Sequence, residues 1–201
     1  MIVGSYTTLK KRFTRSLRAF NPRPDDTLVL VTLENLQSLL LLELAISVEQ
    51  EYSVVMHHLH LGGSPGAFRE LALRSNQVAS SRSINGGFTT YTDVKLTVAS
   101  LSEDYPQALF LLPFTADDLA CYFLREVLRG NLAGLTLEAS ARVAYPLYST
   151  SLQEIEEVYS SSHLKATLMT ECKLLRELQG RVSAHAFGRF YVDTFVKARG
   201  F

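Results

Sequence analysis

The stretch DDTLVLVTLENLQSLLLLELA, residues 25–45, decides the fold of this chain. Its first part, Asp26 to Leu33, is a short apolar run rich in β-branched residues, which is typical of a fully buried strand. The run that follows, Leu36 to Val48, is rich in leucine and is typical of a buried helix. A buried strand that leads directly into a buried helix is the opening unit of a parallel α/β sheet.

The same alternation continues along the rest of the chain. We predict strands at Ser53–Leu61, Asp93–Leu101, Ala108–Phe114 and Ala141–Pro146, helices at Ala67–Val78, Ala116–Arg129 and Leu152–His163, and a loop at Ala79–Thr92. Thr115 with Asp118, and Ser151 with Glu154, have the spacing of capping boxes. We expect the last thirty residues to be mainly helical, with an apolar stripe of Leu174, Leu175, Leu178 and Val182. The sequence therefore predicts a Rossmann-like α/β fold, a parallel sheet with helices on both faces.

Composition excludes several classes of protein. Hydrophobic residues make up 47% of the 201 residues and charged residues 20%, which is typical of a folded core. The formal net charge is zero, so the chain lacks the excess of basic residues that an autonomous nucleic-acid binder usually has. Two cysteines are too few for a disulfide framework or a cysteine metal site, and favour a reducing compartment. The leucine-rich stretch is too short to span a membrane because polar residues interrupt it, namely Glu34, Asn35, Gln37 and Glu43.

The first 24 residues differ from the rest in charge. They contain six basic residues and no acidic residue, whereas residues 25–201 contain 14 basic and 20 acidic residues. Apolar residues recur there at helical spacing, at Leu9, Phe13, Leu17 and Phe20, and another face carries Lys11, Arg15 and Arg18. This pattern predicts a basic amphipathic helix that Pro22 and Pro24 end. A mitochondrial transit peptide has a similar composition, but the apolar stripe favours a helix docked on the fold.

The turn after the first strand, Thr32 to Ser38, is where ligands commonly bind in such folds. A phosphate-binding turn needs glycines, so that backbone N–H groups approach the oxygens, and a free helix N-terminus. This turn has no glycine, and Glu34 places a carboxylate where the anion would lie. Taken alone, the turn argues against nucleotide binding.

Three segments, in this order, nevertheless resemble the PP-loop ATP pyrophosphatases that modify tRNA. Residues 25–45 are similar to the family's strand, S-G-G-x-D-S turn and leucine-rich helix; Ser38 matches, and the other motif positions hold Leu33, Glu34, Asn35 and Gln37. Residues 115–135 resemble G-H-N-x-D-D-x-A-E-T followed by L-R-G-D, with matches at Asp117, Asp118, Ala120, Leu128, Arg129 and Gly130. Residues 143–159 resemble R-P-L followed by E-I-x-x-Y, with matches at Pro146, Leu147, Glu154, Ile155 and Tyr159. Thr170 to Cys172, with Arg181, is similar to the end of the cytosolic thiouridylase group.

The resemblance implies an adenine nucleotide alpha hydrolase-like fold with a degenerate phosphate loop. Family members active in thiolation carry paired cysteines before the D-D segment, but this chain has no cysteine between Met1 and Ala120 and lacks the family's C-x-x-C zinc pairs. The chain therefore resembles a shortened degenerate subunit of a cytoplasmic thiouridylase. We expect no catalysis and no cofactor, and as partners a homologous catalytic subunit, in a heterodimer, and the tRNA whose wobble uridine is thiolated.

The resemblance also implies a division of the chain and a set of RNA contacts. We predict a basic helix at residues 1–24, a degenerate PP-loop domain at 25–165 and a C-terminal helical extension at 166–201. Because the family's helix before the first strand contacts tRNA, we expect RNA contacts at Lys11, Arg15 and Arg18. We also expect the C-terminal Arg181 to add to this positive face. Two alternatives stay open: a divergent ATP-dependent tRNA sulfurtransferase with an unrecognised phosphate site, and a small nucleotide-binding or scaffold domain unrelated to tRNA.

Two further groups of residues have side chains suited to chemistry. His58 and His60 share one face of a strand, beside His57, as a two-histidine ligand pair would. Since a catalytic zinc usually has three protein ligands, we interpret them as packing at a strand end. We interpret Cys121 as an inert core thiol. Nearby cations favour a more reactive thiol at Cys172, without a resolving cysteine beside it.

Overall fold

Five parallel strands form one sheet in the computed structural model, which describes residues 3–49, 54–63, 65–160, 162–167, 169, 172, 177 and 183–199. The strands are β1 (Thr27–Thr32), β2 (Met56–Leu61), β3 (Val78–Ile84), β4 (Ala108–Leu111) and β5 (Val143–Ala144). Their order across the sheet is β3-β2-β1-β4-β5, and every neighbouring pair is parallel. The predicted Rossmann-like α/β fold is confirmed.

Helices connect the strands and flank the sheet. They are α1 (Val3–Arg18), α2 (Leu36–Glu49), α3 (Gly66–Leu73), α4 (Tyr91–Leu101), α5 (Ala116–Leu128), α6 (Leu152–Val158) and α7 (Ala184–Tyr191), with a 3-10 helix at Gly134–Ser140. A π-helical turn, Val192–Val196, and a 3-10 turn, Lys197–Arg199, continue α7. The chain adds strands from β1 outward to β3, then returns to the other side of β1 and adds β4 and β5. Because crossovers between parallel strands are almost always right-handed, this order places helices on both faces of the sheet. No helix within the described ranges is long and apolar enough to cross a membrane.

The deciding stretch folds as its composition predicts. β1 is the central strand, and Leu28 to Thr32 are all buried because helices cover both faces of the sheet. α2 contacts β1, α1, α3 and α6, so it is apolar nearly all round instead of on one stripe.

Two predicted elements between residues 79 and 101 are wrong. The segment predicted as a loop, Ala79–Thr92, begins with β3, an edge strand whose serines are largely exposed. The segment predicted as a strand, Asp93–Leu101, belongs to α4. A capping box starts that helix, since Thr90 Oγ1 accepts from the Asp93 amide at 3.1 Å and the Asp93 carboxylate accepts from the Thr90 amide at 3.0 Å. Val94 and Val98, one turn apart, then face the core.

Several boundaries also differ from the prediction. α3 ends at Leu73, since Val78 already belongs to β3, and α6 ends at Val158, five residues before His163. Both predicted capping boxes, at Thr115 and Ser151, are confirmed. The four residues of the predicted C-terminal apolar stripe lie outside the described residues, namely Leu174, Leu175, Leu178 and Val182.

The basic N-terminal helix docks on the fold through its apolar stripe. The side chains of this stripe are all buried, namely Leu9, Phe13, Leu17 and Phe20. Two cations of α1 also hold it in place. The Arg12 guanidinium donates to Glu154 Oε1 at 2.7 Å and to the Ser149 carbonyl at 3.0 Å, and the Lys10 ammonium donates to Ser47 Oγ at 2.9 Å. Lys10 and Arg12 are therefore structural cations of α1.

Glu154→Ala is expected to lower the free energy of unfolding by about 1–2 kcal/mol. The carboxylate of Glu154 serves two elements, because it also accepts from the Ser151 amide, at 2.8 Å, and completes the cap of α6. Its partial exposure to solvent weakens the ion pair with Arg12 and keeps the estimate low. Urea denaturation measures the loss. Glu156→Ala, an exposed change on the same helix, is the control, and equal stability of the two variants would contradict this role.

Candidate functional site

The candidate ligand site is the crevice at the carboxyl ends of β1 and β4. The chain order reverses between these two neighbours, and ligands of open parallel α/β sheets bind at such a switch point. Two turns border the crevice: the β1–α2 turn, residues 33–35, and the β4–α5 turn, residues 112–115. The predicted degenerate phosphate loop and the Asp117–Asp118 pair both lie at this edge of the sheet.

The β1–α2 turn is closed by acceptors from the chain itself. The Leu33 amide donates to Ser38 Oγ at 2.8 Å, and the Ser38 amide donates to Asn35 Oδ1 at 2.9 Å. The Asn35 amide donates to the Leu33 carbonyl at 2.8 Å. Backbone amides of this turn are the groups that would hold a phosphate, and these three already have acceptors. In this conformation these three amides are therefore not free to donate to a phosphate.

A second stretch of chain covers the turn. We define the covering segment as residues 162–167 together with Met169 and Cys172. Its Lys165 carbonyl accepts from the Leu36 amide at 3.1 Å. The side-chain amide of Gln37 pairs with Thr167, donating to its carbonyl at 2.8 Å and accepting from its amide at 3.3 Å. The side chain of Gln37 thus binds the covering segment as a neighbouring strand would.

The covering segment is attached on the β4 side of the crevice by a disulfide. Cys172 is bonded to Cys121 of α5, and both residues are buried, at 1% and 3% exposure. The interpretation of Cys121 as an inert core thiol is therefore wrong, and so is the expectation of a reactive thiol without a resolving cysteine at Cys172. The two cysteines are 51 residues apart in sequence, and only the return of the chain to the crevice brings them together. Cysteine usage consequently gives no support to a reducing compartment.

The carboxylate of Asp118 accepts hydrogen bonds from two residues at this edge, Thr115 and Tyr91. It accepts from the Thr115 amide at 2.8 Å, from the Thr115 hydroxyl at 2.6 Å and from the Tyr91 hydroxyl at 2.6 Å. Burial raises the pKa of Asp118 to about 6 in spite of these hydrogen bonds. The Tyr91 hydroxyl also accepts from the Met169 amide at 3.3 Å, and burial raises the pKa of Tyr91. Asp118 therefore links α5 to α4 and, through Tyr91, to the covering segment.

The other residues matched to the family motifs have separate positions. Asp117 accepts from the Leu152 amide at 2.9 Å and so helps to start α6. Gly130 has a φ of 66°, a left-handed conformation that ends α5 and favours glycine, and Arg129 is exposed beside it. At a rise of about 1.5 Å per residue, the end of α5 lies about 18 Å from its start. Pro146 is buried just after β5. The structure does not bring Arg129 and Gly130 together with Asp117 and Asp118.

The histidines of β2 surround Thr32, which the sequence analysis did not single out as their partner. The Thr32 hydroxyl lies 2.8 Å from His58 Nε2 and 2.9 Å from His60 Nδ1. Both rings are buried, and burial, together with the nearby His60, lowers the pKa of His58 to about 4. His57 contacts Ser80 at 2.6 Å. Among the described residues no three His, Cys, Asp or Glu side chains are grouped to hold a metal ion.

The predicted RNA-contact residues of α1 lie together on its outer face. Lys11, Arg15 and Arg18 are exposed, and none of them forms an ion pair with a carboxylate of the described residues. A groove of about 470 Å³ runs along this face, lined by Thr7, Lys10, Lys11, Thr14, Arg15 and Arg18. Arg181, the fourth predicted contact, lies outside the described residues.

Comparison with known proteins identifies a related fold. No protein-family model matches the chain, and no curated protein matches its sequence. Among solved structures, the chain is similar to the U34-tRNA thiolase NcsA from Methanococcus maripaludis, determined with its 4Fe-4S cluster. The TM-score is 0.66 at 10% sequence identity, over 97% of this chain and 78% of that chain. The chain therefore has the same parallel α/β fold as this U34-tRNA thiolase.

Proposed function

We propose that the chain is a non-catalytic subunit of a cytoplasmic complex that thiolates the wobble uridine of tRNA. The observation that carries the proposal is the closed crevice: the chain has the fold of a U34-tRNA thiolase, yet its own residues occupy the turn where a phosphate would bind. We assign to it the support of a homologous catalytic subunit, in a heterodimer, and a share of the tRNA contacts.

Adenylation has no suitable site at the crevice. A triphosphate needs a turn whose amides are free to donate. The amides of Leu33, Asn35, Leu36 and Ser38 all donate to acceptors within the chain. The exposed Glu34 adds a negative charge at the same turn, which repels a phosphate further.

An iron–sulfur cluster does not fit the cysteines of the chain. Such clusters are held by Cys thiolates, commonly four. The chain has two cysteines, and they are bonded to each other. We therefore derive no step of sulfur transfer on this chain and assign the chemistry of thiolation to the partner subunit.

The basic face of α1 suits the RNA-binding part of the proposal. Its apolar stripe anchors the helix, and Lys10 and Arg12 fix its position, so Lys11, Arg15 and Arg18 are held in a constant arrangement. Exposed cations without carboxylate partners are suited to the sequence-independent binding of phosphates. The exposed face of α1 is therefore positively charged, although the whole chain has no excess of basic residues.

Calorimetric titration with ATP and magnesium tests the non-catalytic assignment. We expect no heat of binding in the millimolar range, because the amides of the β1–α2 turn are occupied and the turn has no glycine. The titration is run with and without a dithiol reductant, so that the disulfide of the covering segment does not by itself decide the result. Saturable binding of ATP in either condition would favour a divergent ATP-dependent sulfurtransferase.

Affinity purification from the native cell tests the assignment of partners. We expect recovery of a homologous thiouridylase subunit together with tRNA. Recovery of neither would favour a scaffold domain of the same fold without a role in tRNA thiolation.

A further inference from the structure

We infer that the Cys121–Cys172 disulfide is a redox-sensitive latch that keeps the covering segment over the switch-point crevice. The inference concerns access to the crevice and does not depend on the proposed function. It rests on three observations: the disulfide, the hydrogen bonds of the covering segment to both sides of the crevice, and the partial exposure of residues 162–167.

The described residues of the covering segment contact both sides of the crevice. On the β1 side it binds the Leu36 amide and the Gln37 side chain, through Lys165 and Thr167. On the β4 side its Met169 amide donates to the Tyr91 hydroxyl, and Tyr91 packs edge-to-face on Phe114 with ring centroids 5.0 Å apart. The disulfide joins the end of the segment to α5 on this same side.

Apart from Cys172, the described residues of the segment are exposed or only partly buried. His163, Lys165 and Thr167 are exposed, and the residues between them are only half-buried. Among its described residues, the non-covalent attachment is a few hydrogen bonds and the partly buried side chains of Leu164, Ala166 and Met169, which pack against the core. Partly exposed segments of this kind open locally more readily than core strands. Cys172 is fully buried and covalently bound, so the disulfide is the strongest attachment of the segment.

Reduction by a dithiol breaks this attachment with balanced chemistry. A thiolate of the reductant attacks one sulfur of the pair and displaces the other cysteine as a thiolate, forming a mixed disulfide. The second thiol of the reductant then releases the first cysteine, so the reductant becomes a disulfide and Cys121 and Cys172 become thiols after taking up two protons. Because both sulfurs are buried, the exchange requires a transient opening of the segment.

The expected result of reduction is an open crevice. Without the bond to α5, the carbonyls of Lys165 and Thr167 leave the β1–α2 turn more often. The Leu36 amide and the Gln37 side chain then face solvent. The sheet itself loses no contact, since β1 is held by β2 and β4.

Hydrogen exchange on the full chain, oxidised and reduced with dithiothreitol, tests the latch. The Leu36 and Thr167 amides are expected to exchange at least 10-fold faster after reduction. The Leu28 amide, which donates to the Val55 carbonyl at 3.0 Å in the sheet, is the internal control and is expected to change less than twofold. The chain has no third cysteine, so any effect of the reductant on thiols acts through this pair.

Cysteine variants give an independent measurement. Cys121→Ser and Cys172→Ser, each without reductant, are expected to reproduce the fast exchange of the reduced protein at Leu36 and Thr167. Peptide mapping of the untreated wild type is expected to recover the two cysteines in one cross-linked fragment.

Three results would overturn the latch. The first is unchanged exchange at Leu36 and Thr167 after reduction, and the second is two free thiols in the untreated protein. The third is equally accelerated hydrogen exchange at the Leu28 amide, which would show that the disulfide stabilises the whole fold and not the covering segment in particular. None of these results bears on the ATP titration or on tRNA binding, so the latch and the proposed function are tested separately.

Discussion

Replacing Lys11, Arg15 and Arg18 together by alanine is expected to remove most of the salt dependence of tRNA binding. Three phosphate contacts change log K by roughly two to three units per tenfold change in salt, by the counterion argument. The wild-type complex with its partner subunit is therefore expected to show a slope that the triple variant largely lacks. Binding measured between about 50 and 200 mM salt determines both slopes.

The structure explains why this triple variant is expected to stay folded. All three side chains are exposed, opposite the buried stripe of Leu9, Phe13, Leu17 and Phe20. The cations that hold α1 in place, Lys10 and Arg12, are left unchanged. Alanine also favours a helix more than the replaced residues do.

A charge-matched variant is the control for the triple substitution. Arg69, Arg74 and Arg189 are exposed on α3, after α3 and on α7, and their joint replacement by alanine removes the same charge from other surfaces. This control is expected to keep the wild-type slope. If the α1 variant in complex with its partner also keeps the wild-type affinity and slope, α1 is a structural or targeting element and does not contact RNA.

Elements specified by local interactions were predictable from the sequence. β1 and α2 are apolar because the sheet and its helices bury them on nearly every side, so composition alone identifies them. The caps at Thr115 and Ser151 depend on residues three positions apart, and the stripe of α1 on residues one turn apart. In each case the sequence contains both partners of the interaction within a few residues.

Features that depend on distant partners were not predictable. β3 is polar because it is an edge strand, and its position in the sheet is not a local property. The disulfide, the pairing of Gln37 with Thr167 and the contact of Thr32 with the histidines join segments that are separated by between 26 and 130 residues. The closed crevice is therefore a product of tertiary structure, although the missing glycines of the β1–α2 turn indicate it.

Asp118→Asn is expected to change the pH dependence of stability by about 3 kcal/mol between pH 7 and pH 4. The pKa of Asp118 is about 6 in the folded chain and 3.8 ordinarily, so the folded state binds the proton more tightly than the unfolded state. This group therefore increases the free energy of unfolding as the pH falls from about 6 to about 4. A shift of about two units corresponds to about 3 kcal/mol. Asparagine does not titrate, and the variant loses this increase.

His58 changes the free energy of unfolding in the opposite direction over nearly the same pH range. Its pKa is about 4 in the folded chain and 6.5 ordinarily, so the folded state holds the ring neutral while the unfolded state takes up a proton. Its contribution to stability is present above pH 6.5 and is lost as the pH falls toward 4, again by about 3 kcal/mol. In the wild type the contributions of Asp118 and His58 to the pH dependence of stability largely cancel. In Asp118→Asn the loss of stability that His58 causes at low pH is no longer offset.

Urea denaturation at a series of pH values measures these contributions as differences between variants. Asp118→Asn is expected to lose stability toward pH 4 more steeply than the wild type, and His58→Gln to gain stability over the same range. The pKa values of Glu43, Glu49 and His60 are also shifted by burial, but these groups are unchanged in Asp118→Asn and cancel in its difference from the wild type. His60 lies beside His58, so the difference for His58→Gln reports the histidine pair. The double variant is expected to return to the wild-type slope. Parallel curves for the wild type and Asp118→Asn would show that burial of this carboxylate does not determine its proton affinity, and the assigned pKa would be wrong.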